Sequence, residues 1–247
     1  MCTLDPSGTL LAPIPEGIAP FLRGNAFATA RRVRWRAPSW WGDRLTLLER
    51  LVAGQRVVHL GFADHIGVIA EKRARGSWVH DRLRVSAERC VGIDLDADAV
   101  EHCRSLGIPD IYCRNILIDG MPGELQGTEW DVVVMGELIE HLPDPVGFLG
   151  QLRSQLPGVL LLVTAPNAWS APVMLSALRG SEVVNTDHQA WYTPFTLAKQ
   201  LVRSGYSPIG WTSCVGFPLA RRRLFARSVA RCFPLFRNGV VMAAVPQ

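Results

Sequence analysis

From Arg56 onward the chain alternates two rhythms: short apolar, β-branched runs, and longer segments whose apolar residues recur at helical spacing. The first rhythm reads as buried strands, the second as helices with one inward face. Arg56-Val-Val-His-Leu60 is a strand running into Gly61-Phe-Ala-Asp64, and a helical segment follows through about Arg84. Arg89-Cys-Val-Gly-Ile-Asp94 is a second strand, ending in an acid. Asp96 to Leu106 is a helix capped by Asp96, with Ala99, Val100 and Cys103 inside. Asp110–Cys113 and Trp130–Met135 are further strands, and Pro145–Leu156 is a helix that Pro157-Gly158 ends. Val159–Thr164 is the fifth strand. Thr193–Ser204 is a helix with Thr193 as N-cap, Pro194 in its first turn and Gly205 after it. Ser207–Val215 reads as a strand, Phe217–Phe236 as a basic amphipathic helix and Gly239–Val245 as a last strand. Strands alternating with helices imply an α/β fold, a doubly wound, mostly parallel sheet covered on both faces.

The first 50 residues follow neither rhythm. Four prolines between Pro6 and Pro20 make residues 1–24 an irregular arm. Asn25–Arg36 is expected to be a basic helix, broken by Pro38-Ser-Trp-Trp41, and Asp43–Val52 a second one with Leu45, Leu48, Leu51 and Val52 inside. The division is therefore residues 1–50 as an N-terminal helical extension, serving as a lid or a homodimer contact, and 51–247 as the main domain.

Composition narrows the class. A hydrophobic content of 48% against 19% charged residues belongs to a globular chain. No apolar run approaches the roughly 20 residues of a transmembrane helix, and Met1-Cys-Thr-Leu-Asp-Pro6 lacks the basic and apolar regions of a signal peptide. The six cysteines have no zinc-like spacing and read as reduced thiols of a cytoplasmic protein. Net charge is +4, but only Lys72 and Lys199 are lysines, so genomic arginine bias weakens any nucleic-acid argument from charge.

The segment from Trp130 to Pro145 carries the chemistry. Its strand ends in Met135-Gly136 and opens into Glu137, Glu140 and His141. Positions i, i+3 and i+4 share one face of a helical turn, so the three side chains are expected to converge. Gly61 allows close approach of backbone to a ligand at the end of the first strand. Asp94 is placed to accept two hydroxyls, while Asp96 suits the helix cap better.

The order of these blocks resembles the class I S-adenosylmethionine-dependent methyltransferases over roughly residues 50–247, closest to the branch that O-methylates small molecules, sugars and glycan precursors, mycobacterial polysaccharide enzymes included. Val57-Val-His-Leu-Gly61, Gly92-Ile-Asp-Leu-Asp96, Trp130–Pro145, Leu156–Asn167 and Thr186–Leu197 carry the resemblance. It implies a seven-stranded Rossmann-like sheet with an antiparallel last strand, and S-adenosyl-L-methionine as cofactor. It assigns Asp94 to the ribose hydroxyls, with Leu95, Met135 and Gly61 beside the cofactor. Asn115 faces the adenine amine or simply forms a turn. The family usually has an acid at the position of His59 and a Gly-x-Gly-x-Gly loop; here the loop is Gly61-x-Ala63-x-His65. That departure leaves Asp64 either to meet the methionine amino group or, with His65, to cap the next helix.

For the reaction the resemblance offers two readings. His141 acts as general base, with Glu140 beside it, or Glu137, Glu140, His141 and the downstream His188 hold Mg²⁺, as in enzymes that methylate RNA 3′-terminal 2′-hydroxyls. Mixed carboxylate and imidazole ligation suits zinc at least as well, so the choice of Mg²⁺ rests on the resemblance. The expected acceptor is a small-molecule or oligosaccharide hydroxyl, with no nucleic acid favoured. The alternatives are a phenolic acceptor, an RNA 3′ end, or a non-catalytic cofactor-binding partner subunit. Trp191-Tyr192 beside Asp187-His188 fits a carbohydrate site or a core. Trp78, His80 and Asp81, in a long insertion before the second strand, are expected to wall the acceptor pocket.

Overall fold

A computed structural model describes residues 5, 7–38, 40–215, 228 and 230–247. Seven strands form one sheet: β1 (Arg56–Leu60), β2 (Arg89–Asp94), β3 (Ile111–Cys113), β4 (Val132–Gly136), β5 (Leu160–Pro166), β6 (Tyr206–Cys214) and β7 (Gly239–Pro246). Their order is β3-β2-β1-β4-β5-β7-β6. β1 to β5 pair in parallel, and β7 runs antiparallel to both its neighbours. The order reverses between β1 and β4, which leaves a crevice at their carboxyl ends. Leu60 lies opposite Met135 in the register, so the two strands end level there.

Period-two alternation decides which face each strand residue joins. Val133 and Met135 pack with Leu149 and Leu152 of α7 (Pro145–Gln155) and Leu197 and Leu201 of α9 (Pro194–Arg203). Val132 and Val134 pack on the other side with Leu47, Leu48 and Leu51 of α2 (Arg44–Val52) and Leu83 of α4 (Val79–Ser86). Caps stand where the sequence puts them: Asp96 accepts from the Ala99 amide at 3.0 Å, and Thr193 and Thr196 form a capping box.

Two expectations about elements fail, and one helix was not expected. Asn25–Arg36 is not helical; the helix in this region is α1 (Ala19–Arg23), which Gly24 ends at φ 80°. In the stretch that follows, Trp35 is buried and Val33 half-buried, while Arg32, Arg34 and Arg36 are exposed. That is the alternation of an extended chain, and it overrides helix propensity. The helical segment after β1 is broken by Gly76 at φ 60° into α3 (Ile66–Ala74) and α4. An unanticipated apolar helix, α8 (Ala171–Leu178), follows β5.

The N-terminal arm lies on the sheet. Ala12 and Trp211 exchange backbone hydrogen bonds of 2.8 and 2.9 Å, and the Trp35 ring meets Trp211 edge-on at 5.0 Å. The expected basic helix at Phe217–Phe236 falls mostly on 216–227 and 229, outside the described residues. No helix among the described residues is long and apolar enough to cross a membrane.

Candidate active site

A cavity of about 720 Å³ opens at the carboxyl ends of β1, β2 and β4. Gly61, Asp64, Asp94, Glu137, Glu140, His141 and His188 all line it, so seven of the residues singled out in the sequence meet in one place.

The first wall is the turn after β1. Gly61 has φ 65°, and a Cβ there would come within 3.0 Å of the Leu138 side chain, so only glycine fits without strain. The Asp94 carboxylate accepts the Ala63 amide at 3.0 Å and the Asp96 amide at 3.1 Å, which holds the turn over the end of β2. Burial pushes the Asp94 carboxyl up, against those amides. Asp64 is engaged by Lys72 Nζ at 2.6 Å, and His65 Nε2 reaches Asp187 Oδ2 at 3.2 Å across the cavity mouth. Leu95, Asn115 and Met135 do not line the cavity. Leu95 is exposed, and Met135 is sealed in the core. Asn115 Oδ1 accepts the Leu117 amide at 3.1 Å, the turn-forming role.

The second wall follows β4. Glu137 has φ 59°, a left-handed conformation uncommon outside glycine and asparagine. It therefore lies outside the 3₁₀ turn Ile139–His141, and the shared helical face expected of Glu137, Glu140 and His141 does not form. The Glu137 carboxylate instead pairs with Arg44 Nη1 at 2.7 Å. Glu140 and His141 remain together and are joined by His188 from the loop before α9; one donor atom from each lies within 4.8 Å of the others. The Gln189 amide donates to the Glu140 carbonyl at 2.7 Å and straps that loop to the turn.

Glu140 is fully buried, and neither carboxylate oxygen has a hydrogen-bond partner among the described residues. Burial, with Glu137 nearby, pushes its carboxyl up to about 8. His188 Nε2 stands 4.0 Å from Glu140 Oε1 and accepts from the Asn185 amide at 3.0 Å. Burial, then the neighbouring His141, lowers the His188 imidazole. His141 Nδ1 lies 3.2 Å from the Asp187 carbonyl, which can only accept. In the neutral ring the proton is therefore on Nδ1, with the lone pair on Nε2.

Arg44 was not among the residues singled out, and His59 was noted only as standing where the family usually has an acid. Arg44 is buried, lines the cavity and leaves Nε without a partner among the described residues. Its signal was present: it shares the inward face of α2 with Leu47, Leu48 and Leu51, and an arginine on such a face needs a partner. Of the insertion before β2, Trp78 and His80 are core residues, and Asp81 pairs with Arg73 and Arg84. Ser77 and Val79 border the cavity in their place. Trp191 reaches the cavity, whereas Tyr192 is buried, its hydroxyl pushed up to about 12 by burial.

Residues 37–209 match the model of a methyltransferase domain, and the chain belongs to that family, the class I S-adenosylmethionine-dependent methyltransferases. It is similar to the ubiquinone biosynthesis O-methyltransferase of Methylococcus capsulatus, with 30% identity over 139 residues, 53% of this chain and 51% of that one. The enzyme of the same name from Paracidovorax citrulli is 29% identical over 150 residues, 58% of this chain and 55% of its own. The chain thus spans about half the length of the curated relatives it matches. Among solved structures, the small RNA methyltransferase HEN1 superposes with a TM-score of 0.55 at 14% identity, over 90% of this chain and 27% of that one. A Bacillus halodurans C-125 protein gives 0.52 at 14% identity, over 83% and 99%. At that identity the two share the fold.

Proposed function

We propose that the chain transfers the methyl group of S-adenosylmethionine to an acceptor hydroxyl, with a divalent cation held by Glu140, His141 and His188. The observation that carries this reading is Glu140. A buried carboxylate with both oxygens unpartnered is unfavourable by several kcal/mol unless a positive charge joins it. One carboxylate and two imidazoles, with His188 Nε2 exchanging its bond from the Asn185 amide for the cation, make a donor set that fits Mn²⁺ or Zn²⁺ as readily as Mg²⁺. The bond from His141 Nδ1 to the Asp187 carbonyl is the outer support that orients a ligating imidazole.

In this reading Asp94 accepts the ribose hydroxyls, Arg44 meets the methionine carboxylate, and the Glu137–Arg44 pair keeps the guanidinium in place. Arg44 belongs to residues 1–50, so the extension contributes a side chain to the site. When bound, the cation would supply Lewis-acid polarisation of the acceptor oxygen, so that its proton would leave to solvent as the new C–O bond forms and the C–S bond of the sulfonium breaks. Glu140, His141 and His188 fix where that oxygen sits, in line with the sulfonium methyl.

The acceptor we favour is a saccharide or glycan-precursor hydroxyl, supported by Trp191 set at 75° to the His188 ring with Asn185 and Asp187 close by. A phenolic acceptor is the second reading, favoured by the names of the curated relatives and by Pro172, Val173 and Val183 on the cavity wall. Isotopically labelled methyl donor offered with sugar diols and catechols, before and after chelation, tests both points. Labelling of one class that EDTA abolishes and Mn²⁺ or Mg²⁺ restores is expected. Turnover that survives EDTA removes the cation and leaves His141 Nε2 as the general base.

A further inference from the structure

We infer that the N-terminal arm seats this protein on an anionic lipid surface, with Phe27 entering the headgroup boundary and Arg23, Arg31, Arg32, Arg34 and Arg36 meeting the lipid phosphates. None of these residues lines the cavity, and this surface is independent of the proposed reaction.

Between Glu16 and Asp43 the chain carries these five arginines and no acid. All five are exposed, and none forms an ion pair among the described residues. The residues outside the description include no acid that could pair with them. Arg56, Arg73 and Arg82, by contrast, are paired with Asp131, Asp81 and Glu49. Arg31 is held over the Phe21 ring at 4.4 Å, which positions the guanidinium without neutralising it. Residues 17–36 also precede the matched methyltransferase domain, so the fold of that domain does not call for this charge.

Val33 and Trp35 pack inward, and the Trp35 ring is fixed on Trp211. Arg32, Arg34 and Arg36 therefore stand on the outer side of an extended chain, roughly 6.5 Å from one to the next. Like charges at that spacing repel, and the inward side chains between them keep them from moving apart. A surface of negative charge brought against the row relieves that repulsion.

The same arm supplies an apolar element. Gly24 turns the chain at φ 80°, and residues 24–30 contain no charged side chain. Phe27 in this loop is 87% exposed, and Ala28 and Ala30 are exposed with it. An aromatic ring in an uncharged loop, bracketed by arginines, has the chemistry of an interfacial anchor. The ring leaves water for the boundary between headgroups and acyl chains, while the guanidiniums stay at the phosphates. Single-stranded nucleic acid calls instead for aromatic faces interleaved with the arginines. Trp35, the ring between Arg34 and Arg36, is turned into the core and offers none.

The test is co-sedimentation of the full chain with vesicles of phosphatidylcholine alone and with vesicles containing roughly 30% phosphatidylglycerol. The wild type is expected to pellet only with the anionic vesicles, and to be released as salt rises from about 0.1 M to about 1 M. Phe27→Ser should lower the partition coefficient about tenfold. A triple variant, Arg32→Gln with Arg34→Gln and Arg36→Gln, should lower it about a hundredfold. Both variants should melt at the wild-type temperature, since all four side chains are exposed, so lost binding is not lost folding. If the triple variant melts early, Phe27→Ser and the lipid and salt dependence of the wild type decide. A wild type that stays in solution, that pellets equally with neutral vesicles, or whose binding survives both sets of substitutions overturns the proposal. Salt-sensitive binding to a single-stranded RNA oligonucleotide without binding to vesicles assigns the arginines to nucleic acid and overturns it as well.

Discussion

A carboxylate sealed from water with nothing to bond to is neutral at pH 7 or has lost its partner. Glu140 is that residue, and its raised carboxyl fixes the sign of a pH effect. Its contribution to stability is fully present below the ordinary value of 4.5 and is lost as pH rises through about 8. Thermal melts in EDTA should therefore fall between pH 5 and pH 8 more steeply for the wild type than for Glu140→Gln. Added Mn²⁺ should erase the difference for the wild type alone. His141→Ala is expected to lower turnover by about a hundredfold or more while leaving S-adenosylhomocysteine affinity unchanged; weaker cofactor binding would place His141 elsewhere. Most of these side chains were legible because acids and histidines at strand ends have few structural uses. Glu137 was misplaced because its left-handed φ of 59° cannot be read from spacing. Arg44 was passed over because its burial depends on Glu137, 93 positions further on.

At the scale of elements, the strands were the most legible, since period-two and continuous apolar runs have one reading in a sheet buried on both faces. Helices were legible where caps marked them, as at Asp96, Asp144 and Thr193. The arm was not, because its basic residues suggested a helix while Val33 and Trp35 alternate with arginines. Trp35 pins this extended stretch to Trp211 of β6. Trp35→Ala should destabilise the protein by roughly 3–5 kcal/mol, the range for truncating a buried aromatic residue, read from the denaturation midpoint. A loss below about 0.5 kcal/mol, the size of an ordinary surface substitution, would show the arm to be peripheral.

For the whole molecule, sheet order places Gly61, Asp94, Glu137 and Glu140 at one end of the strands, and the switch point between β1 and β4 places the crevice. That architecture buries the His59–His80 pair at its centre, with a second consequence for pH. Both imidazoles are depressed, so their contribution is present above about 6.5 and lost as pH falls through about 3 for His59. Between those limits wild-type stability should fall on acidification, and His80→Phe should flatten the fall; equal slopes would show that the pair titrates normally. The α/β class was legible from rhythm and the antiparallel last strand from the resemblance, whereas the loop that brings His188 to Glu140 was not, because its path is set by tertiary bonds such as Gln189 to Glu140.

The central claim, that the crevice anchored by Asp94 holds the methyl donor, is tested most directly by titrating the purified chain with S-adenosylhomocysteine in a calorimeter. Saturable one-to-one binding, weakened by about tenfold or more in Asp94→Ala, is expected. No binding up to about 1 mM ligand, or an Asp94→Ala variant that binds like the wild type, would contradict it.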